Sequence, residues 1–158
     1  MISFVVIGKN IEQTIEKCLK SILFTIEFNE IKNHEIIYVD SNSTDRTLDI
    51  AKSFVDISIY KILSNANSAK ARNLGFKKSK GSVIFFIDGD MELVPKTLKK
   101  IYNPKKGLVY PFISGDWINV YNNQNNIIRE NKYHNLKKDT FQYKSGGLFL
   151  INRDLWIR

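Results

Sequence analysis

Ile84-Phe85-Phe86-Ile87-Asp88-Gly89-Asp90 drives four apolar residues into two carboxylates separated by one glycine. A short continuous apolar run that ends at a turn signal fits a strand buried on both faces. In an extended chain, residues two apart point the same way. If the extension persists, Asp88 and Asp90 face one spot, and Gly89 admits close approach to the backbone. Two such carboxylates repel each other unless a cation sits between them. A hard divalent ion already carrying phosphate oxygens suits that position. The same letters also suit a hairpin tip, because Asp-Gly is a turn signal. Met91-Glu92-Leu93-Val94-Pro95 argues against the hairpin, since it resumes no alternation and Pro95 fits the first turn of a helix.

On the N-terminal side, Gly81 separates a strand over Ser82 to Ile87 from a helix over Ala69 to Lys78, capped by Asn67 or Ser68. Ile57 to Leu63 reads as a strand. Leu48, Ala51 and Phe54 mark a helix, and Glu35 to Val39 reads as another strand. Ile2 to Ile7 is a short β-rich apolar run, broken by Gly8-Lys9-Asn10. Asn10 suits an N-cap, with Gln13 completing a capping box for a helix from Ile11 to Ile26. Ile11, Ile15, Leu19, Ile22 and Ile26 form its apolar face, and Cys18 falls among them as a buried core thiol. Strands alternating with helices over short joints predict a mostly parallel sheet with helices on both faces. Ligands of such sheets collect outside the carboxyl ends of the strands, where Gly8, Asp40 and Asp88 all lie.

After a short helix over Pro95 to Tyr102, Gly107 to Tyr121 is aromatic and β-rich. Trp117 to Tyr121 and Ile127 to Glu130 flank a polar turn and suggest a hairpin. Asn131 to Gln142 reads as mobile. Ser145-Gly146-Gly147 then leads into a last strand over Leu148 to Ile151.

With 158 residues the chain suits one domain, and 43% hydrophobic content argues against disorder. A single cysteine excludes an intrachain disulfide and a cysteine metal cage. His34 and His134 give no histidine metal site. Neither a leader nor an apolar run of membrane-span length is visible, so a cytoplasmic location is expected. The net charge is +8, with lysines gathered at 77, 78 and 80, at 96, 99 and 100, at 105 and 106, and at 137 and 138. Three readings stand: a solvated face, attraction to anionic substrates, or loose attachment to an anionic membrane surface. The lysines are not interleaved with aromatics, so nucleic acid is not expected as a partner.

Val39-Asp40-Ser41-Asn42-Ser43-Thr44-Asp45-Arg46-Thr47, Ala71-Arg72-Asn73-Leu74-Gly75 and Asp88-Gly89-Asp90 occur in the order seen in family 2 glycosyltransferases. The chain resembles that family strongly from Ile2 to about Pro95. A weaker likeness returns at Gly146-Gly147-Leu148-Phe149-Leu150-Ile151-Asn152-Arg153. The resemblance implies an α/β protein of GT-A fold, a nucleotide-binding sheet joined to an acceptor half. The expected layout is a single domain over 1–158, with nucleotide-sugar binding in 1–95 and an incomplete acceptor side in 96–158. It also implies Asp40, Arg72 and Asp88 at the nucleotide, and Asp88 and Asp90 at a divalent metal, Mn²⁺ or Mg²⁺. The backbone of Gly146 and Gly147 falls on the donor or acceptor side.

A carboxylate at Asp40 accepts the imide hydrogen of uracil, which cytosine lacks, so uridine or thymidine fits, and a UDP-sugar is the expected donor. The plainer reading is that Asp40 caps the next helix, although Ser43 or Thr44 would also serve. Asp45 reads as a first-turn helix acid. Arg72 either clamps a phosphate, braces the base and its aspartate, or forms an ion pair that holds the Asp88 loop.

The implied reaction is an inverting, metal-assisted transfer from a nucleotide-diphospho-sugar to an acceptor hydroxyl. The acceptor is a carbohydrate or lipid-linked, in polysaccharide or glycolipid synthesis, in the cytoplasm or at the inner face of the membrane. No catalytic base is nominated: Asp154 reads as a helix-start residue, and the base is expected beyond Arg158. Gly8-Lys9-Asn10 stands where many relatives carry a proline-containing turn, so Lys9 either reaches a phosphate or sits in water. Two alternatives compete. A sugar-phosphate nucleotidyltransferase would carry a glycine-rich basic loop after the first strand, which Ile7-Gly8-Lys9-Asn10-Ile11 lacks. A non-enzymatic basic module would bind polyanions.

Overall fold

The structure, a computed structural model, describes residues 1–114, 119–123, 126–130 and 147–156. Strand and helix alternate through β1 (Ile2–Gly8), α1 (Ile15–Phe28), β2 (His34–Asp40), α2 (Thr47–Lys52), β3 (Ile57–Lys61), α3 (Ser68–Lys78) and β4 (Val83–Asp88). Then come α4 (Pro95–Ile101), β5 (Tyr102–Asn103), β6 (Gly107–Leu108), β7 (Phe112–Ser114), β8 (Asn119–Asn123), β9 (Asn126–Glu130), β10 (Leu148–Asn152) and α5 (Arg153–Trp156). The main sheet has six strands in the order β3-β2-β1-β4-β10-β7. β1 pairs in parallel with both β2 and β4, and β2 with β3. β10 joins antiparallel to β4, and β7 antiparallel to β10. The expected mostly parallel sheet is present.

β1 lies between two parallel neighbours, so its backbone is paired on both edges and both its faces are covered. Ile2, Phe4 and Val6 pack on one face with Ile15, Leu19 and Ile22 of α1. Val5 and Ile7 pack on the other face with Ala71 of α3. A fully buried side chain of this kind contributes about 1.5–3 kcal/mol. At the amino end of β1, the buried Ser3 hydroxyl donates to Glu35 Oε1 (2.6 Å) and accepts from Gly81 N (2.8 Å). A buried polar group is thereby satisfied at the end of the sheet away from the strand tips.

Helix starts follow local hydrogen bonds, in two cases from residues other than those expected. Asn67 caps α3 as expected, its side chain accepting from Lys70 N at 2.8 Å. The expected start of the first helix at Ile11 is corrected to Ile15. Ile11 to Thr14 form a turn in which Thr14 N and Ile15 N both donate to Ile11 O (3.0 and 2.9 Å). Asn10 has φ 52°, outside the extended conformation an N-cap needs, and does not cap the helix. Asp40, Ser43 and Thr44 do not cap α2 either. Asp45 Oδ1 accepts from Thr47 N at 3.0 Å and covers its first turn.

The hairpin is present, with β8 and β9 paired antiparallel from Asn119↔Glu130 to Asn123↔Asn126. The readings placed on Trp117, on Asn131 to Gln142 and on Ser145-Gly146 lie outside the described residues. Among the described residues, no helix is long and apolar enough to cross a membrane.

α3 reaches β1 closely because Gly75 has no side chain. A Cβ there would sit 2.2 Å from Val5 Cγ1. Gly75→Val is expected to lower the unfolding free energy by about 1–3 kcal/mol through overpacking. Denaturant titration checks this. Combined with Val5→Ala, the loss should be smaller than the sum of the two single losses, because the residues share one contact.

Candidate functional site at the carboxyl rim of the sheet

The strand register places the candidate residues on one rim. Gly8 of β1 is paired with Asp40 of β2, and Ile7 with Asp88 of β4. A cleft of about 290 Å³ opens at these strand ends, lined by Gly8, Lys9, Ser41, Asn67, Asp88 and Asp90 among others. Three βα junctions and the end of β4 therefore share one concavity, where open α/β sheets bind ligands.

The extended alternation expected through Asp88 and Asp90 is not what brings them together. Met91 N donates to Asp88 O at 3.0 Å, so the chain turns at Asp88. The turn still delivers both carboxylates to the cleft. It is tied to the sheet by Gly89 N, which donates to Ile7 O at 2.8 Å. A Cβ on Gly89 would lie 2.4 Å from Ile11 Cδ1 and 3.2 Å from Ile7 O, so a larger residue would have to displace the tip of Ile11.

Asp88 is held from two sides. Arg72 Nη2 donates to its Oδ1 at 2.7 Å, with the two side chains 18% and 31% exposed. Of the roles open to Arg72, the ion pair that holds the Asp88 turn is present. The guanidinium also lies 5.7 Å from the centroid of Phe149 on β10. From the other side, Asp88 N donates to Gly147 O at 2.8 Å. Gly147 has φ 74°, and a Cβ on it would lie 2.2 Å from Asp88 Oδ2. Only glycine suits that backbone at that distance. Burial pushes the Asp88 carboxyl above its ordinary value; the Arg72 guanidinium opposes the shift and the Asp90 charge adds to it.

Asp40 is fully buried. Its Oδ1 accepts from Tyr38 Oη at 3.2 Å and its Oδ2 from Ser43 N at 2.9 Å. Burial, then the Asp40 charge, pushes the Tyr38 hydroxyl upward, which keeps it a donor. The neighbouring Ser41 lines the cleft. Cys18 is buried as expected. Burial, ahead of the charges on Asp90, Glu92 and Asp88, raises its thiol and keeps it protonated.

A feature invisible in the letters is the lacing of the first two βα loops. Asn10 N donates to Ser43 Oγ (2.9 Å), and Asn10 Oδ1 accepts from Thr44 N (2.8 Å). Ile11 N donates to Thr47 Oγ1 (2.8 Å), Glu12 N to Asp45 Oδ2 (3.1 Å), and Arg46 N to Glu12 Oε2 (3.0 Å). Asn10 and Asn42 both take positive φ, at 52° and 64°. Asparagine tolerates that conformation better than most residues.

For a metal, the cleft offers the carboxylates of Asp88 and Asp90. No group of three or more His, Cys, Asp or Glu suited to a metal occurs among the described residues. Two hard oxygen donors fit a Mg²⁺- or Mn²⁺-like ion that completes its shell with phosphate oxygens and water. Asp88 Oδ1 is engaged by Arg72, so Oδ2 is its freer donor.

The model of glycosyl transferase family 2 matches residues 3–156. The chain belongs to this family. It is 30% identical to glycosyltransferase GlyA of Streptococcus pneumoniae serotype 4 over 155 residues, covering 84% of this chain and 21% of GlyA. TarS of S. aureus in complex with UDP-GlcNAc is similar in structure, with TM-score 0.51, 27% identity, and coverage of 63% of this chain and 29% of TarS. Glucosyl-3-phosphoglycerate synthase of Mycobacterium tuberculosis, in complex with UDP, covers 98% of this chain and 57% of its own, with TM-score 0.63 and 17% identity. These likenesses establish the GT-A fold for this family 2 chain, which spans a minor part of GlyA and of TarS.

Two outcomes are expected. By carboxyl-carbon NMR titration, Asp88 should titrate above the ordinary aspartate range. Arg72→Met should move its midpoint further up, and Asp90→Asn should move it down. The folded chain binds this proton more tightly than the unfolded chain. The stability contribution of Asp88 is therefore largest below the ordinary range and falls as pH rises toward the raised midpoint. Separately, Gly147→Ala should displace the Asp88 carboxylate and cost about 1–3 kcal/mol of stability, read by thermal unfolding and by the Asp88 NMR signal.

Proposed function

We propose that this family 2 chain binds a nucleotide-diphospho-sugar in the rim cleft and forms the donor side of an inverting glycosyl transfer. The observation that supports this is the meeting of Asp88, Asp90, Lys9, Ser41 and Asn67 in one cleft at the strand ends. Uridine is the favoured base, and TarS, which shares the fold at 27% identity, is described with UDP-GlcNAc. Asp40 holds the Ser41–Thr44 loop and keeps spare acceptor capacity for an imide N–H, since each carboxylate oxygen offers two lone pairs. Because Asp40 is fully buried, contact with the base requires that loop to shift.

Asp90, with Asp88 beside it, would hold the divalent ion. Such an ion, when bound, neutralises charge on the leaving diphosphate. Arg72 opposes the burial that favours the protonated form of Asp88 and aims its carboxylate. In the transfer, an acceptor oxygen forms a bond to the anomeric carbon as the carbon–phosphate oxygen bond breaks. The electron pair leaves with the nucleoside diphosphate, and the hydroxyl proton passes to a general base. Attack opposite the leaving group inverts configuration. The acceptor is a hydroxyl on a carbohydrate or a lipid-linked sugar, and no residue of this chain is assigned the role of base.

Thermal unfolding with ligand tests the reading. UDP with Mn²⁺ should raise the melting temperature, by linkage. Asp90→Ala should retain the unliganded melting temperature and lose the metal-dependent part of the rise. An equal metal-dependent rise in the variant would remove Asp90 from the site. Absence of any rise in the parent chain would contradict the function.

A further inference from the structure

We propose that Lys9 is a diphosphate-binding residue, held ready in the cleft by the laced β1–α1 and β2–α2 loops. The inference rests on the reading of the cleft as a nucleotide-diphospho-sugar site and assigns a residue to its diphosphate. Lys9 is the cationic side chain among the described residues that line the cleft. It shares that lining with two carboxylates, yet forms no ion pair within 4.0 Å among the described residues. Nor does it hydrogen-bond through its ammonium to any described group; the residue is exposed and lies in the lining of the cleft, with three donors to offer. An exposed ammonium on a flexible stem costs little to keep free and is a point charge for phosphate oxygens.

What makes Lys9 more than one of the many surface lysines is its backbone. Gly8 before it is fixed by the β1 ladder, and Gly8 O accepts from Ser41 N at 2.9 Å. Asn10 after it is clamped by Ser43 Oγ and Thr44 N. In the unliganded chain the lacing therefore holds the Lys9 backbone in place beside the cleft. The acidic pair alone would repel a diphosphate; a cation of the chain in the same cleft offsets that repulsion even without metal.

The experiment is calorimetric titration of UDP, UMP and uridine into the parent chain, Lys9→Ala and Lys9→Arg, each in chelator and with Mn²⁺. Thermal unfolding of each variant checks that the fold is kept. Lys9→Ala should weaken UDP binding roughly tenfold in chelator, the scale of one charge-assisted contact. It should affect UMP less and uridine not at all. Lys9→Arg should keep most of the affinity. UDP affinity unchanged by Lys9→Ala overturns the inference, as does an equal loss for uridine, which would place Lys9 at the base. Failure of the parent chain to bind UDP in either condition overturns the function itself and the Lys9 assignment with it.

Discussion

β1 is hydrogen-bonded in parallel along both edges, with Gly8 level with Asp40 on one side and Ile7 level with Asp88 on the other. A slip of one residue on either edge would turn Asp40 or Asp88 to the opposite face of the sheet. The register cannot slip easily, because both faces of β1 are filled. Phe4 and Val6 are locked against α1, while Val5 is locked against α3, where even a methyl at Gly75 would collide. The geometry of the rim is thus a consequence of core packing some residues away. The loops that carry Lys9, Ser41 and Asp90 inherit their positions from it.

On that rim the chain accepts an electrostatic penalty. Asp88 is partly buried and close enough to Asp90 for like-charge repulsion, and both effects favour its protonated form. Arg72 offsets them with a short charge-assisted bond. Gly147 allows β10 to press against the same carboxylate without filling its space. The late strand β10 therefore does more than extend the sheet. It inserts antiparallel beside β4 and closes the wall behind Asp88, and its Phe149 lies against Arg72. A cation between Asp88 and Asp90 would relieve what remains of the repulsion. This links the energetics of the fold to the proposed chemistry.

Much of this was legible in residue order. The strands ending at Gly8, Asp40 and Asp88 follow from apolar runs, and the Asn67 cap follows from local propensity. Local reading failed where distant residues decide. Asn10 looks like an N-cap and a capping box partner, but its side chain is taken by Thr44 across thirty-four positions. Alternation through Asp88 and Asp90 gave way to a turn closed by Met91 N, because Gly89 is tied to Ile7. The Arg72–Asp88 pair was one of several options. It is settled by α3 packing across β1 and β2, from where Arg72 reaches the end of β4, a matter of topology rather than composition. The lacing of the loops gave no pattern at all, since its partners are ordinary polar residues in two separate segments.

The central claim is that separate strand ends converge on an acidic cleft that holds a diphosphate through a cation. The most direct measurement is anomalous diffraction at the manganese edge from crystals of this chain grown with UDP and Mn²⁺. The account predicts a single strong peak between the Asp88 and Asp90 carboxylates, contacting the diphosphate oxygens, with the nucleoside in the cleft beside Ser41. A nucleotide bound elsewhere on the molecule, or manganese held away from both aspartates, would contradict it.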